Sequence, residues 1–336
     1  MLSAFRRLFG GSNNTAAPSD ASVTHESETA PYSAGSDWIE PAIVIAESEL
    51  DLADLPDAAG AFVRQIARDA LNDELKLPIM HELALAVRRK TLDPSSSVSD
   101  LTLIIQTDIA ITTQLIQMAN SPLYRGYEPI QSLNEAIARI GMNAVRDIVT
   151  GLTIKQIFAT EQPRLRRRMR EWWEHSARVA ANCSILARHE GGIDPERALL
   201  AGLIHDIGEL AIIKYANGLT EEELSSESLA EAIQHLNAKL GALMLRQWKL
   251  DEEFAVAALH ADNFNRQPDG VVRLVDLVQV AQLHLLSVVP SSRSRNLGEA
   301  PPVKHLGLSL DESGKGIALL SDARHEIEKV RAALAI

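Results

Sequence analysis

One cysteine, Cys183, stands among 336 residues, so no intramolecular disulfide can hold this fold, and a reducing, cytoplasmic setting is the expectation. Its surroundings, AANCSILAR, read as helix, where a thiol packs as a small apolar group. No apolar run approaches the roughly 18 residues that cross a bilayer, so no membrane span is expected. Excess positive charge is missing too. The formal net charge is -12, which argues against generic attraction to a nucleic-acid backbone while leaving room for local basic patches. Strand-like alternation is scarce and no fixed-period repeat is visible.

What is present is helical periodicity. Hydrophobic residues make up 46% and charged residues 23%, the balance of an ordinary globular chain. The first residues, MLSAFRRLFGG, place Leu2, Phe5, Leu8 and Phe9 near one helical face and Arg6 and Arg7 on another, too short a pattern for a secretory signal. A frayed terminus and a weak peripheral contact with a membrane or partner both stay open. From Gly10 to about Asp37 the Gly, Ser, Asn, Thr, Ala and Pro content cannot repay the entropy of ordering, so residues 1–38 are expected to form a disordered tail. Residues 39–70 read as accessory amphipathic helices. The apolar period then continues through Ile79 to Lys90, Val98 to Thr107, Ile109 to Asn120, Leu133 to Ile140 and Ala144 to Ala159. Turn residues interrupt it at Asp93-Pro94, SPLYRGYEP and Gly191-Gly192.

One helix is expected to run from Asp194-Pro195 through ERALLAGLIHDIGELAII. Asp194 is a suitable N-cap and Pro195 a suitable first residue. Apolar on nearly every side, this segment belongs inside a bundle, yet it carries His205, Asp206 and Glu209. A carboxylate there is costly without a cation or hydrogen-bond donors, so Asp206 must have a partner.

His205-Asp206, with His175 thirty positions earlier in EWWEHSARVAANCSILARH, resembles the HD superfamily of metal-dependent phosphohydrolases. Upstream, LPIMHELALAVRRKTLDPSSSVSDLTLIIQTDIAITTQLIQMANSPLYRG and IQSLNEAIARIGMNAVRDIV resemble the front of an HDOD domain, the HD-related output domain of bacterial signalling proteins. The resemblance implies an all-α, HD-like multi-helix bundle. It sets the HDOD domain at 71–270, with C-terminal helices over 271–336 packing on or extending it. It also implies links with signal transduction, sometimes beside cyclic-di-GMP circuits, although no receiver, GGDEF or EAL segment is visible here.

In HD enzymes the first His, the doublet and a later Asp bind a metal that activates water. Aligning Ala281 with the small residue before that Asp puts Gln282 at the ligand position, and a neutral amide is a poor ligand for a hard cation. Asp276 lies six residues away, about 120° around the helix. Asn237 and Ala261 stand where HDOD relatives often have His. The expectation is therefore a residual cluster of His175, His205, Asp206 and Gln282 with no catalytic residue, no cofactor, and at most a weakly bound divalent metal on His175, His205 and Asp206. The partners implied are signalling proteins or a nucleotide second messenger. A rival reading completes a rearranged phosphohydrolase site with Asp276, His260 or Asp262.

A second group of residues offers a ligand or partner surface. Asn120, Ser121 and Tyr124 lie in a turn that could border a groove. Arg164, Arg166, Arg167, Arg168 and Arg170 could form either a solvated face or a phosphate- or RNA-binding patch. Trp172 could stack on a base or anchor the core, and His260 is a further candidate for this surface.

Overall fold

A computed structural model describes residues 59–334 apart from 73, 125, 127, 158–161, 221–222 and 288–296, together with 51, 55 and 56. The expectations for the tail and for the first part of the accessory segment fall outside these residues. Among the described residues the chain is helical, with no strand beyond an isolated bridge between Leu310 and Ile317.

The elements are α1 (Ala61–Leu71), α2 (Glu82–Thr91), α3 (Val98–Ile105), α4 (Ile109–Ala119), α5 (Leu133–Ile140), α6 (Met142–Ile154), α7 (Pro163–Glu190), α8 (Pro195–Ile204), α9 (Gly208–Ala216), α10 (Ser226–Gln247), α11 (Glu252–His260), α12 (Leu274–Ser287), α13 (Pro301–His305), α14 (Ala318–Asp322) and α15 (Arg324–Leu334). Side-chain caps mark several starts. Ser97 and Asp100 form a capping box on α3, while Asp108, Ser132, Asp194 and Ser225 accept backbone N–H groups at α4, α5, α8 and α10. The first of the long helical segments begins three residues later than its periodicity suggests. His81 caps α2 through the Leu83 N–H, and the preceding Pro78 carbonyl is taken by the Trp248 indole.

The 28-residue α7 is the central beam, and α8, α12 and α15 pack against it. Its closest crossing is with α8. There a Cβ on Gly202 would run into the Ala180 backbone, so the absence of a side chain lets the two helices touch. A second contact of this kind shapes the His-Asp segment. Gly208 sits against the Asn237 carbonyl and the Gly241 nitrogen of α10, again with no space for a Cβ. The single helix expected through the doublet is therefore two. α8 ends at Ile204, and the backbone tightens to three-residue hydrogen bonds from Ile207 to Ile204, Glu209 to Asp206 and Leu210 to Ile207 before α9 begins. His205 and Asp206 consequently lie on a corner, and their side chains leave the helix axis toward α7, α10 and α12.

Candidate functional site

Four elements deliver the cluster. His175 comes from α7, His205 and Asp206 from the corner, Asn237 from α10, and Gln282 from α12. Asp262 joins from the turn after α11. His205 is fully buried, and its Nδ1 donates to the Gly202 carbonyl at 2.8 Å. That bond aims Nε2 at Asp206, whose Oδ2 is 3.0 Å away. Asp206 also accepts from Asn237 Nδ2 at 2.8 Å, and the Trp172 indole fixes the corner by donating to the Asp206 carbonyl at 3.0 Å. The cost of placing Asp206 inside the bundle is thus offset by a histidine and an amide.

The His175 end is arranged differently. Its Nε2 lies 3.7 Å from Asp206 Oδ2 but 3.0 Å from Gln282 Oε1. Gln282 cannot turn its amide over, because Nε2 donates to Asp262 Oδ1 at 2.9 Å. The oxygen therefore faces His175, which must present an N–H to it. One neutral amide ties a histidine to a carboxylate in the middle of the site.

The electrostatics follow this division. Burial works against a charged His205, but the Asp206 carboxylate and the Gly202 carbonyl outweigh it and raise the ring above the ordinary histidine range. Burial would raise Asp206, yet His205, His175 and Asn237 hold it well below the ordinary carboxylate range. His175 is pushed down to about 4, first by burial and then by repulsion from His205. About a third of its side chain meets solvent, and water there softens the effect. These shifts favour an imidazolium–carboxylate pair beside a neutral histidine. Folding favours neutral His175, so its contribution to stability is present above pH 6.5 and fades as pH falls toward 4. NMR titration should find this ring uncharged at pH 6, and the loss of stability between those values should be blunted in His175→Gln.

Donor atoms of His175, His205 and Asp206 lie within 4.8 Å of one another, near enough to surround one divalent ion. The His205–Asp206 half is free to act as a ligand pair once His205 gives up its Nε2 proton, the nitrogen and Oδ2 standing 3.0 Å apart. The opposite half is not. His175 Nε2 is engaged by Gln282, and the neighbouring carboxylate Asp262 is held by the same amide. His175 and the nearby Asp262 are thus turned to the Gln282 amide rather than to a point shared with Asp206.

The HDOD domain matches residues 77–264, more than half of the chain. This protein belongs to the HDOD domain family. Solved structures show the same fold. A Shewanella amazonensis protein, provisionally described as a metal-dependent phosphohydrolase, is 24% identical with a TM-score of 0.71 over 81% of this chain and 97% of its own. An HDOD domain protein of unknown function from Geobacter sulfurreducens is 20% identical with a TM-score of 0.56, over 80% and 96% of the two chains. A provisional signal transduction protein from Marinobacter aquaeolei is 18% identical with a TM-score of 0.52, over 85% and 69%. An uncharacterised Treponema pallidum protein is 22% identical over 230 residues, 64% of this chain and 42% of that protein's length. The chain thus spans less than half of this curated relative.

The remaining candidate residues of the HDOD chain are distributed differently. Asp276 is fully buried and bound to Arg266 at 2.8 Å and to the Arg273 N–H at 2.9 Å. The His260 carbonyl accepts from Gln279 at 2.7 Å. In the arginine run, Arg164 turns inward to the Leu219 and Leu224 carbonyls, and Arg168 grips buried Glu209 through both oxygens. Arg167 lies in the open within 3.8 Å of Glu171. The i, i+4 pair Arg164 and Arg168 shares one helix face, so the run is split between a structural face and a solvated one. Burial raises Glu209 to about 6 despite Arg168. Trp172 is 3% exposed and offers no stacking face. Asn120 bonds the Ile130 N–H and carbonyl, both at 2.8 Å, and Ser121 accepts the Leu123 N–H, so both shape the loop. Tyr124 is half-buried near Glu196; burial and that carboxyl push the phenol upward.

Proposed function

We propose that this HDOD protein is a non-catalytic bacterial regulatory module that works by binding a signalling protein or a small ligand. Gln282 carries the reading. It places an uncharged group between His175 and Asp262 where the family resemblance calls for a metal-binding carboxylate, and it engages the histidine that would otherwise bind the ion. A divalent ion taken up by His175, His205 and Asp206 would be held weakly, because it must first displace Gln282 from His175 Nε2 and a proton from His205. The upward shift of His205 beside Asp206 favours a positive charge already inside the site, which an entering cation would oppose. The corner, the inward histidines and the amide chain then hold α7, α10 and α12 in register, and the surface of that rigid body is what a partner recognises.

A metal-dependent phosphohydrolase is the competing reading, and the near approach of the three donor atoms favours it. Steady-state assays with Mn, Mg and Fe against nucleotides and cyclic dinucleotides separate the two. The expected result is no turnover above background. Efficient turnover lost in Asp206→Ala would reject the regulatory reading.

A further inference from the structure

Away from the His-Asp corner, three arginines gather where α2, α6 and α8 meet. Asp147 on α6 is 2% exposed and is clasped side-on by Arg146, with Nε 2.8 Å from Oδ1 and Nη2 3.2 Å from Oδ2. Arg88 on α2 approaches the same carboxylate but stops with Nη1 3.9 Å from Oδ1, beyond hydrogen-bond range. The neighbouring acids are already engaged. Asp251 and Glu253 serve Arg197 at 2.7 and 3.5 Å, Glu253 also accepts the Leu274 N–H, and Glu252 holds Arg246. Two guanidinium groups therefore share one carboxylate, and the Arg88 fork makes no hydrogen bond among the described residues.

Both side chains are only 18% exposed. Water reaches them at an edge and cannot hydrate them fully, which makes an unpaired cation expensive there. Burial, together with the facing Arg146, lowers the hold of Arg88 on its proton more than Asp147 restores it. Beside the fork, Leu85 and Leu92 are 39% and 73% exposed. They stand at i−3 and i+4 from Arg88 and so flank it on one helix face.

We propose that Arg88 and Arg146 form a binding site for a small oxyanion, the phosphate ester or carboxylate of a metabolite whose apolar part rests on Leu85 and Leu92. The unused fork of Arg88 matches two oxygens of such a group. The site shares no residue with the His205–Asp206 cluster, so its failure would leave the regulatory reading standing.

Inorganic phosphate titrated into the full chain at constant ionic strength tests this, with acetate in a parallel series and with arginine Nε–H resonances and calorimetry as readouts. Saturable binding is expected, moving the Arg88 and Arg146 resonances but not that of exposed Arg167. Tighter binding of phosphate assigns the phosphate ester, and tighter binding of acetate assigns the carboxylate. Arg88→Gln should weaken binding by about tenfold or more, and Arg88→Lys, which keeps the charge without the fork, should fall between. If Arg88→Gln does not fold, Arg88→Lys and the resonances of the unaltered chain decide. No saturable response, a response confined to Arg167, or equal affinity in the folded Arg88 variants would overturn the proposal.

Discussion

Replacing Asp206 with Ala is expected to cost about 3–5 kcal/mol of folding stability, the range for breaking a buried ion pair by removing one partner. His205 has no exposed side-chain surface and depends on Asp206 for its charge. Without the carboxylate, the Gly202 carbonyl is left as the main opposition to burial, and the ring should become neutral to stay inside. The Asn237 amide loses its acceptor at the same time. Asp206→Asn should recover part of the loss, since its carbonyl can still receive the Asn237 N–H. Denaturant unfolding followed by circular dichroism measures the difference, and NMR should place the His205 titration in Asp206→Ala below the free-histidine range. A loss under about 1 kcal/mol, the scale of an exposed pair, would mean that the corner does not rely on this carboxylate.

Changing Gln282 to Glu should have the second large effect, and its sign should depend on metal. The two side chains have the same shape, so the change adds a charge opposite His175 and removes the N–H that Asp262 accepts. Without a divalent ion, two carboxylates face each other in a buried site and stability should fall. The new charge should also raise His175 from about 4 toward the ordinary 6.5. With manganese, the variant gains the anionic ligand that the parent lacks. At a hundredfold excess of ion over its Kd the gain in stability is about 2.7 kcal/mol, read as a rise in melting temperature absent from the parent. Equal responses of the two proteins to manganese would show that this amide does not govern the site.

The all-helical bundle was legible in the apolar period because core-facing residues recur at helical spacing along nearly the whole chain. The corner at His205-Asp206 was not. ERALLAGLIHDIGELAII is apolar on every side, so its pattern runs straight through the bend, and the cause lies thirty residues downstream where Asn237 and Gly241 meet Gly208. The need of Asp206 for a partner followed from burial alone, but the identity of that partner depended on which α10 residue faced the corner. Gln282 stands out through the family resemblance, whereas its second bond to Asp262 depends on the turn after α11 folding beside α12. In the arginine run, the i, i+4 spacing of Arg164 and Arg168 carried a signal that a count of charges concealed. Leu165 and Trp172, both buried, lie on neighbouring positions of that helix, which marks part of the run as facing inward. Arg88 and Arg146 showed no comparable pattern, since α2 and α6 are far apart in sequence and only packing brings the two forks to one carboxylate.

Elemental analysis of the full chain, purified without chelator, reaches the centre of the matter most directly. An amide that keeps His175 and Asp262 from a cation should leave manganese, iron and zinc well below one equivalent per chain. One full equivalent, released when His175 or Asp206 is replaced, would show that these residues close around a metal after all.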